Sequence, residues 1–230
     1  LPMAFHLRTL PMSLVTLMLA LTTLLCKVGS AIGILGIAAI WVFASRVRLG
    51  PLALIALALI SPIYVSIRFS GLWDSQSLAS FITQFDEERG GSLAARIRQE
   101  DFYVSQAMVS PIFGFGNGDF IPKDESGDKI LRGNDGFWLI TLGLYGSISL
   151  ISCFLAMALP GLRVGWQGIY HSVEREDLAI ASVLALVPVL FSIDCLFNGM
   201  INPLYLICGG AASSASLRSD PTLQILEHEE

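Results

Sequence analysis

Residues 136–159 read GFWLITLGLYGSISLISCFLAMAL, 24 positions without one charged side chain. Wound as a helix, such a stretch extends about 36 Å, enough to cross the roughly 30 Å of a bilayer's hydrocarbon. No soluble core needs an uncharged run of this length. On its C-terminal side Pro160-Gly161 is the expected stop, followed by a polar stretch with Arg163, His171, Glu174, Arg175, Glu176 and Asp177. Two more apolar runs, 178–197 and 200–217, are joined at Asn198-Gly199, and a polar tail closes the chain. On the N-terminal side lie three runs, 10–26, 31–44 and 52–67. Lys27 to Ser30 breaks the first from the second, Arg46 and Arg48 follow the second, and Arg68 closes the third. The second is short and is expected to borrow residues from its flanks.

The whole 230-residue chain agrees with this reading. It is 53% apolar with a mean hydropathy of +0.66, and only 14% of its residues are charged, against about 25% in soluble domains. The predicted fold is therefore all-α: a polytopic transmembrane helix bundle of about six spans, with one large external loop containing a short amphipathic helix. The divisions are residues 1–67 for three spans, 68–134 for the loop, 135–217 for three more spans, and 218–230 for a cytoplasmic tail. A net charge of −5 with no basic stripe argues against a nucleic-acid partner. Cys26, Cys153, Cys195 and Cys208 all fall in apolar runs without metal-like spacing, so they read as small buried hydrophobes. The first run lacks a small-residue cleavage site, and the chain begins at Leu1. It is read as an uncleaved span and as the C-terminal part of a longer protein.

Short-loop charge sets orientation. Arg8, Arg46 with Arg48, Arg163 with Arg175, and Arg218 fall on one side, while the other side's short connections hold Lys27 and the uncharged Asn198-Gly199. Six alternating spans put the basic loops inside and 68–134 outside. That segment carries 7 of the chain's 14 basic residues, which long loops translocate regardless.

Loops this long are usually functional or disordered. Within it, residues 92–109 (SLAARIRQEDFYVSQAMV) read as a helix between a Ser92 cap and the Ser110-Pro111 stop. Leu93, Ile97, Val104 and Met108 share a narrow stripe suited to the membrane interface. Arg96 lies beside that stripe with Glu100, Tyr103 and Ala107, and Arg98 projects to the far side. For each Arg the structural alternative is a snorkelling side chain or an ion-pair partner of Glu100 or Asp101. Pro111 is followed by Ile-Phe-Gly114-Phe-Gly116-Asn-Gly118-Asp119. This is no dinucleotide fingerprint, because no strand precedes it and the G-x-G-x-x-G spacing is missing. Arg132-Gly-Asn134-Asp135 leads into residues 136–159, where Asp135 is either a helix N-cap or a base at the membrane surface. Asp194 is the only acid inside an apolar run. It is either a functional intramembrane acid or an interfacial residue bonded to the amides of Asn198 and Asn202. Trp73 and Trp138 read as interfacial belt aromatics.

Taken in order, the features are Arg96, Pro111, Gly114-Phe-Gly116, Asn134-Asp135-Gly136-Phe-Trp138 and Leu142-Gly143-Leu-Tyr-Gly146. This ordered set, over roughly residues 30–210, resembles the O-antigen ligase and polymerase family. The resemblance implies a metal-independent glycosyltransferase without a cofactor, at the outer face of a bacterial inner membrane. Its substrate would be a polyprenyl-diphosphate-linked glycan, and its acceptor a lipid A core sugar or another lipid-linked repeat unit. Family ligases carry a His-Asn-like dyad before the span that follows the large loop. Here no His stands there: His6, His171 and His228 fall on the predicted cytoplasmic side. Asp135 then becomes the substitute base, or the chain follows a polymerase arrangement. Family members also have ten or more spans, against about six here.

The chemistry needs fixed cations for a polyanionic leaving group and a base for the acceptor hydroxyl. Arg suits the first, being always charged and able to bind phosphate bidentately. Arg96 and Arg132 are the expected diphosphate ligands and Asp135 the expected base. Arg98, Asp119, Asn134 and Asp194 are expected at the substrate, with no metal ligand. Two other classes compete. A transporter or flippase places ionisable groups at mid-membrane on broken helices, whereas here Asp194 alone lies within a run. A non-catalytic membrane subunit is the third reading.

Overall fold

The computed structural model describes residues 12–25, 29–70, 91, 94, 100–116, 120, 126, 136–170, 175–199 and 202–218. Among these, every regular element is a helix. The helices are α1 (Met12–Leu25), α2 (Gly29–Arg46), α3 (Gly50–Ser70), α4 (residues 100–107), α5 (Phe137–Tyr170), α6 (Arg175–Asp194) and α7 (Leu204–Arg218). Three are long and apolar enough to cross a membrane: α2, α3 and α5. The apolar parts of α6 and α7, Leu178–Asp194 and Leu204–Ala215, are shorter. As expected, α2 recruits flanking residues beyond its apolar run of 31–44.

The chain divides into two compact units, Leu1–Gly50 and Pro51–Glu230. In the first, α2 ends in a tight backbone cap. Leu49 N–H donates to Ala44 O at 2.8 Å and Arg48 N–H to Ser45 O at 3.3 Å, the two bonds of a Schellman motif. That motif needs a left-handed residue, and Arg48 takes the position usually held by glycine, with φ 64°. Buried Trp41 closes the turn by donating from Nε1 to Gly50 O at 3.2 Å.

In the second unit, α6 packs on α5 and α7, and α5 also meets α7. The C-terminal part of α5 lies against the N-terminal part of α3 through glycines. A Cβ on Gly165 would lie 2.6 Å from Ile55 Cγ1 and 2.8 Å from Pro51 O, and one on Gly168 2.8 Å from Pro51 Cγ. Small residues at such spacing let helix backbones approach closely where lipid supplies no hydrophobic drive. Further along, Ser61 of α3 and Ser192 of α6 share a buried hydroxyl contact at 3.0 Å, and Phe191 stacks on Tyr205 with centroids 4.3 Å apart.

Two features of α5 differ from the sequence reading. First, Pro160-Gly161 does not stop it: the helix runs through Pro160 to Tyr170. Proline is tolerated there because neighbouring helices pack on it; Pro160 and Gly161 are both buried, Gly161 against Val189 of α6. Second, the helix breaks at Gly146, with φ 76° and ψ −176°. A straight helix would hold Trp138 about 34 Å from Gly161. Yet a Cβ on Gly161 would lie 2.6 Å from Val189 Cγ2, and Trp138 N is 3.4 Å from Cys195 O. Val189 and Cys195 are only about 9 Å apart along α6. The two halves of α5 must therefore meet at an acute angle at Gly146. Residues 137–145 form a short helix that folds back along the bundle, and residues 147–170 form a separate rod.

α4 packs through a face shifted from the predicted one: Val104 of the expected stripe still packs on the core. Tyr103 and Ala107 are buried together with Glu100, while Met108 is exposed. Leu93 and Ile97 lie outside the described residues. The shift has two causes: an ion pair that draws Glu100 inward, described next, and the contact of the Tyr103 ring with Phe120, tilted at 5.4 Å.

Candidate functional site

Polar side chains gather where the C-terminal end of α3 meets α4 and the start of α5. Tyr64 and Arg68 are one turn apart on α3, so both project from one face. A cation in the last turn of a helix also complements the helix dipole. Arg68 Nη2 donates to Asp101 Oδ1 at 2.7 Å. Its Nε stands 3.2 Å from Glu100 Oε2 in an ion pair. Tyr64 donates from its hydroxyl to the same Glu100 oxygen at 2.8 Å. Arg68 and Glu100 are both buried, and Asp101 opens to solvent. Burial raises the Glu100 carboxyl above its usual range, against the lowering effects of the Tyr64 hydrogen bond and the Arg68 charge. The Tyr64 ring meets Trp138 edge-on at 6.2 Å and tilts against Phe197 at 6.1 Å.

A second construction lies nearby. Gly114 and Gly116, with φ 69° and 63°, shape a turn that only glycine adopts without strain. The turn docks on the break in α5. Phe115 N–H donates to Gly143 O and Gly116 N–H to Leu144 O, both at 2.8 Å, while Ser147 N–H donates to Pro111 O at 2.8 Å. Breaking a helix orphans such carbonyls and amides, and the loop backbone satisfies them. Gly143 leaves room for the Phe120 ring, which occupies the place a Cβ would take.

At the start of α5, Phe137 N–H donates to Asn198 O at 3.2 Å, and Leu139 and Ile140 N–H reach Gly136 O at 3.2 Å. Gly136 thus stands in the cap position, and the first helical amide is held by the end of α6. Trp138 is 0% exposed. The expectation of an interfacial belt aromatic is overturned at this residue, because the fold-back of α5 carries the indole into the core cluster with Leu142, Phe154 and Cys195. Trp73 lies outside the described residues.

Of the residues singled out from the sequence, Arg96, Arg98, Asp119, Arg132, Asn134 and Asp135 lie outside the described residues. Asp194 is described: its Oδ1 accepts a 2.5 Å hydrogen bond from Asn198 Nδ2, the structural arrangement weighed for it. Asn202 instead caps α7, its Oδ1 accepting from Leu204 N–H at 3.0 Å with Pro203 between. In the sequence Arg68 marks only the end of an apolar run. Glu100 and Asp101, considered as partners of Arg96 and Arg98, are bound by Arg68. The available signal was that a lone cation ending an apolar helix has to find an anion if it is buried. Among the described residues no group of three or more His, Cys, Asp or Glu could hold a metal ion. Comparison with protein-family models, curated proteins and solved structures finds no match.

Proposed function

We propose that this chain is a membrane glycosyltransferase of the O-antigen ligase or polymerase type, acting on polyprenyl-diphosphate-linked glycan in cell-surface polysaccharide synthesis. In this reading six spans cross a bacterial inner membrane and residues 68–134 face the periplasm. Arg96 and Arg132 neutralise the diphosphate, and Asp135 takes the acceptor's proton. Arg98, Asp119, Asn134 and Asp194 line the substrate.

The observation that carries the reading is the junction of the turn at Gly114–Phe115–Gly116 with the α5 break at Gly143–Gly146. Two elements of the family-like order, far apart in the chain, form one backbone unit. The stretch 100–116 of the polar segment is thereby tied to the bundle at two points, by Arg68 on α4 and by this junction. A fixed frame beside a polar segment is what transition-state stabilisation by positioned groups requires.

The broken helix favours a second reading, a transporter or flippase, because such proteins place discontinuous helices at their substrate sites. Here the carbonyls opened by the break, Gly143 O and Leu144 O, accept loop amides. That supports surface chemistry over ion coordination.

Cells lacking the gene test the proposal through the gel profile of their surface glycan, with complementation by wild type, Arg96→Ala and Asp135→Asn. Loss of long chains with single-repeat forms retained supports a polymerase. Loss of attached glycan with lipid-linked polymer accumulating supports a ligase. An unchanged ladder in the deletion strain removes the enzyme reading and leaves the transporter or a non-catalytic subunit.

A further inference from the structure

The turn that docks on α5 carries apolar side chains on its outer surface. Val109 is 74% exposed and Phe113 76% exposed, and Met108 and Ile112 are exposed beside them. Side chains of this size are ordinarily covered when they cluster. No charged residue occurs from Phe102 to Gly118, so nothing on the turn calls for a charged partner.

The length of α5 says what covers it. Trp166 and Tyr170 are exposed, with tilted rings 4.3 Å apart, near the far end of the rod, where amphipathic aromatics mark a membrane–water boundary. Between them and the break, Ile148, Ile151, Leu155 and Leu159 are exposed along one helical face, as lipid-facing positions of a span are. From Trp166, about 30 Å of hydrocarbon ends some 20 residues back along the helix. That point is Gly146, where Ser147 N–H holds Pro111 O at 2.8 Å. Tyr145, also exposed, sits at the same level. The turn is thus bonded to the rod at the edge of the hydrocarbon, beside the first lipid-facing residue, Ile148.

We infer that Met108, Val109, Ile112 and Phe113 form a membrane-inserting wedge whose partner is the boundary between headgroups and acyl chains of one leaflet. The wedge extends the lipid-facing surface of α5 onto a segment that is not itself a span. It takes hold by burying apolar area and needs no anionic lipid. The inference does not depend on the enzymatic reading.

The full chain in liposomes tests it. p-Benzoylphenylalanine is placed in turn at Phe113, Val109 and Ser105, the last an exposed polar position on α4. The liposomes are neutral phosphatidylcholine with alkyne-tagged acyl chains, and irradiation is followed by coupling of a fluorophore to the alkyne. The expected result is lipid adduct at 113 and 109, several-fold above that at 105 and equal in liposomes with added anionic lipid. Lipid adduct at 113 no greater than at 105 overturns the wedge. So does crosslinking of 113 to a second copy in place of lipid, or a yield at 113 that rises several-fold with anionic lipid.

Discussion

Gly114 and Gly146 meet backbone to backbone: a Cβ on Gly114 would lie 2.6 Å from both Gly146 N and Leu144 O. A Cβ on Gly146 would in turn lie 2.6 Å from Phe113 N and collide with the Ile112 carbonyl. Each residue also has a positive φ. The turn and the helix break therefore exist together or not at all.

Substitution should expose that dependence. Gly146→Ala has to relieve a backbone collision as well as a left-handed conformation, and should cost about 3 kcal/mol or more. Gly116→Ala meets open space at a φ of 63° and should cost about 1 kcal/mol. Thermal unfolding in detergent micelles measures both. Equal losses would mean that the close approach is not what selects glycine.

The Arg68–Glu100 pair makes a different prediction. Arg68→Met leaves a buried carboxylate without its cation, and should cost about 3–5 kcal/mol. Adding Glu100→Gln removes that stranded charge and should recover part of the loss, since Tyr64 can still donate to the amide oxygen. A double variant as unstable as the single one would show that Arg68 acts through packing alone.

Glu100 should also make stability depend on pH in a stated direction. Its carboxyl is raised in the folded protein, first by burial, so above the ordinary glutamate value of about 4.3 the folded state holds the proton more tightly than the unfolded state. The stabilisation is complete below that value and is lost as pH rises through the raised one. Wild type should therefore lose stability relative to Glu100→Gln as pH increases across that window. A difference that is flat, or that grows in favour of wild type, would contradict the assignment.

At the end of α2 the prediction is a gain. Arg48 has φ 64° in the Schellman cap, a conformation that disfavours side chains with a Cβ. Arg48→Gly should stabilise the protein by up to about 1 kcal/mol, offset slightly by the lost cation at the helix C-terminus. A lower melting temperature in the variant would indicate that the Arg48 side chain contributes a contact outweighing the strain.

The positions of the helices were legible in the sequence because apolar composition over a window is a local property. Residues 31–44 and 52–67 are helical, as is 137–159 apart from the break at Gly146, and the glycine-rich turn after Pro111 was visible as a tight backbone path. The glycines of 142–146 were visible too, but the sequence did not say that they marked a break, because a glycine inside an apolar run is compatible with a continuous span. Pro160 differs for the converse reason: its cost as a helix breaker is local, while its packing beside Gly209 of α7 is not.

By itself, then, the sequence determined the helical class, the presence of apolar helices long enough to cross a membrane, and the separation of a polar segment from the apolar runs, since each follows from residue type and run length against bilayer thickness. The tertiary structure alone decided that α5 folds back at Gly146, that Trp138 is core and not belt, that Arg68 claims Glu100 and Asp101, and that the Gly114 turn closes on the helix break. Each of these depends on which distant segment comes to lie alongside. Periodicity and composition describe one segment at a time and carry no record of its neighbour in space.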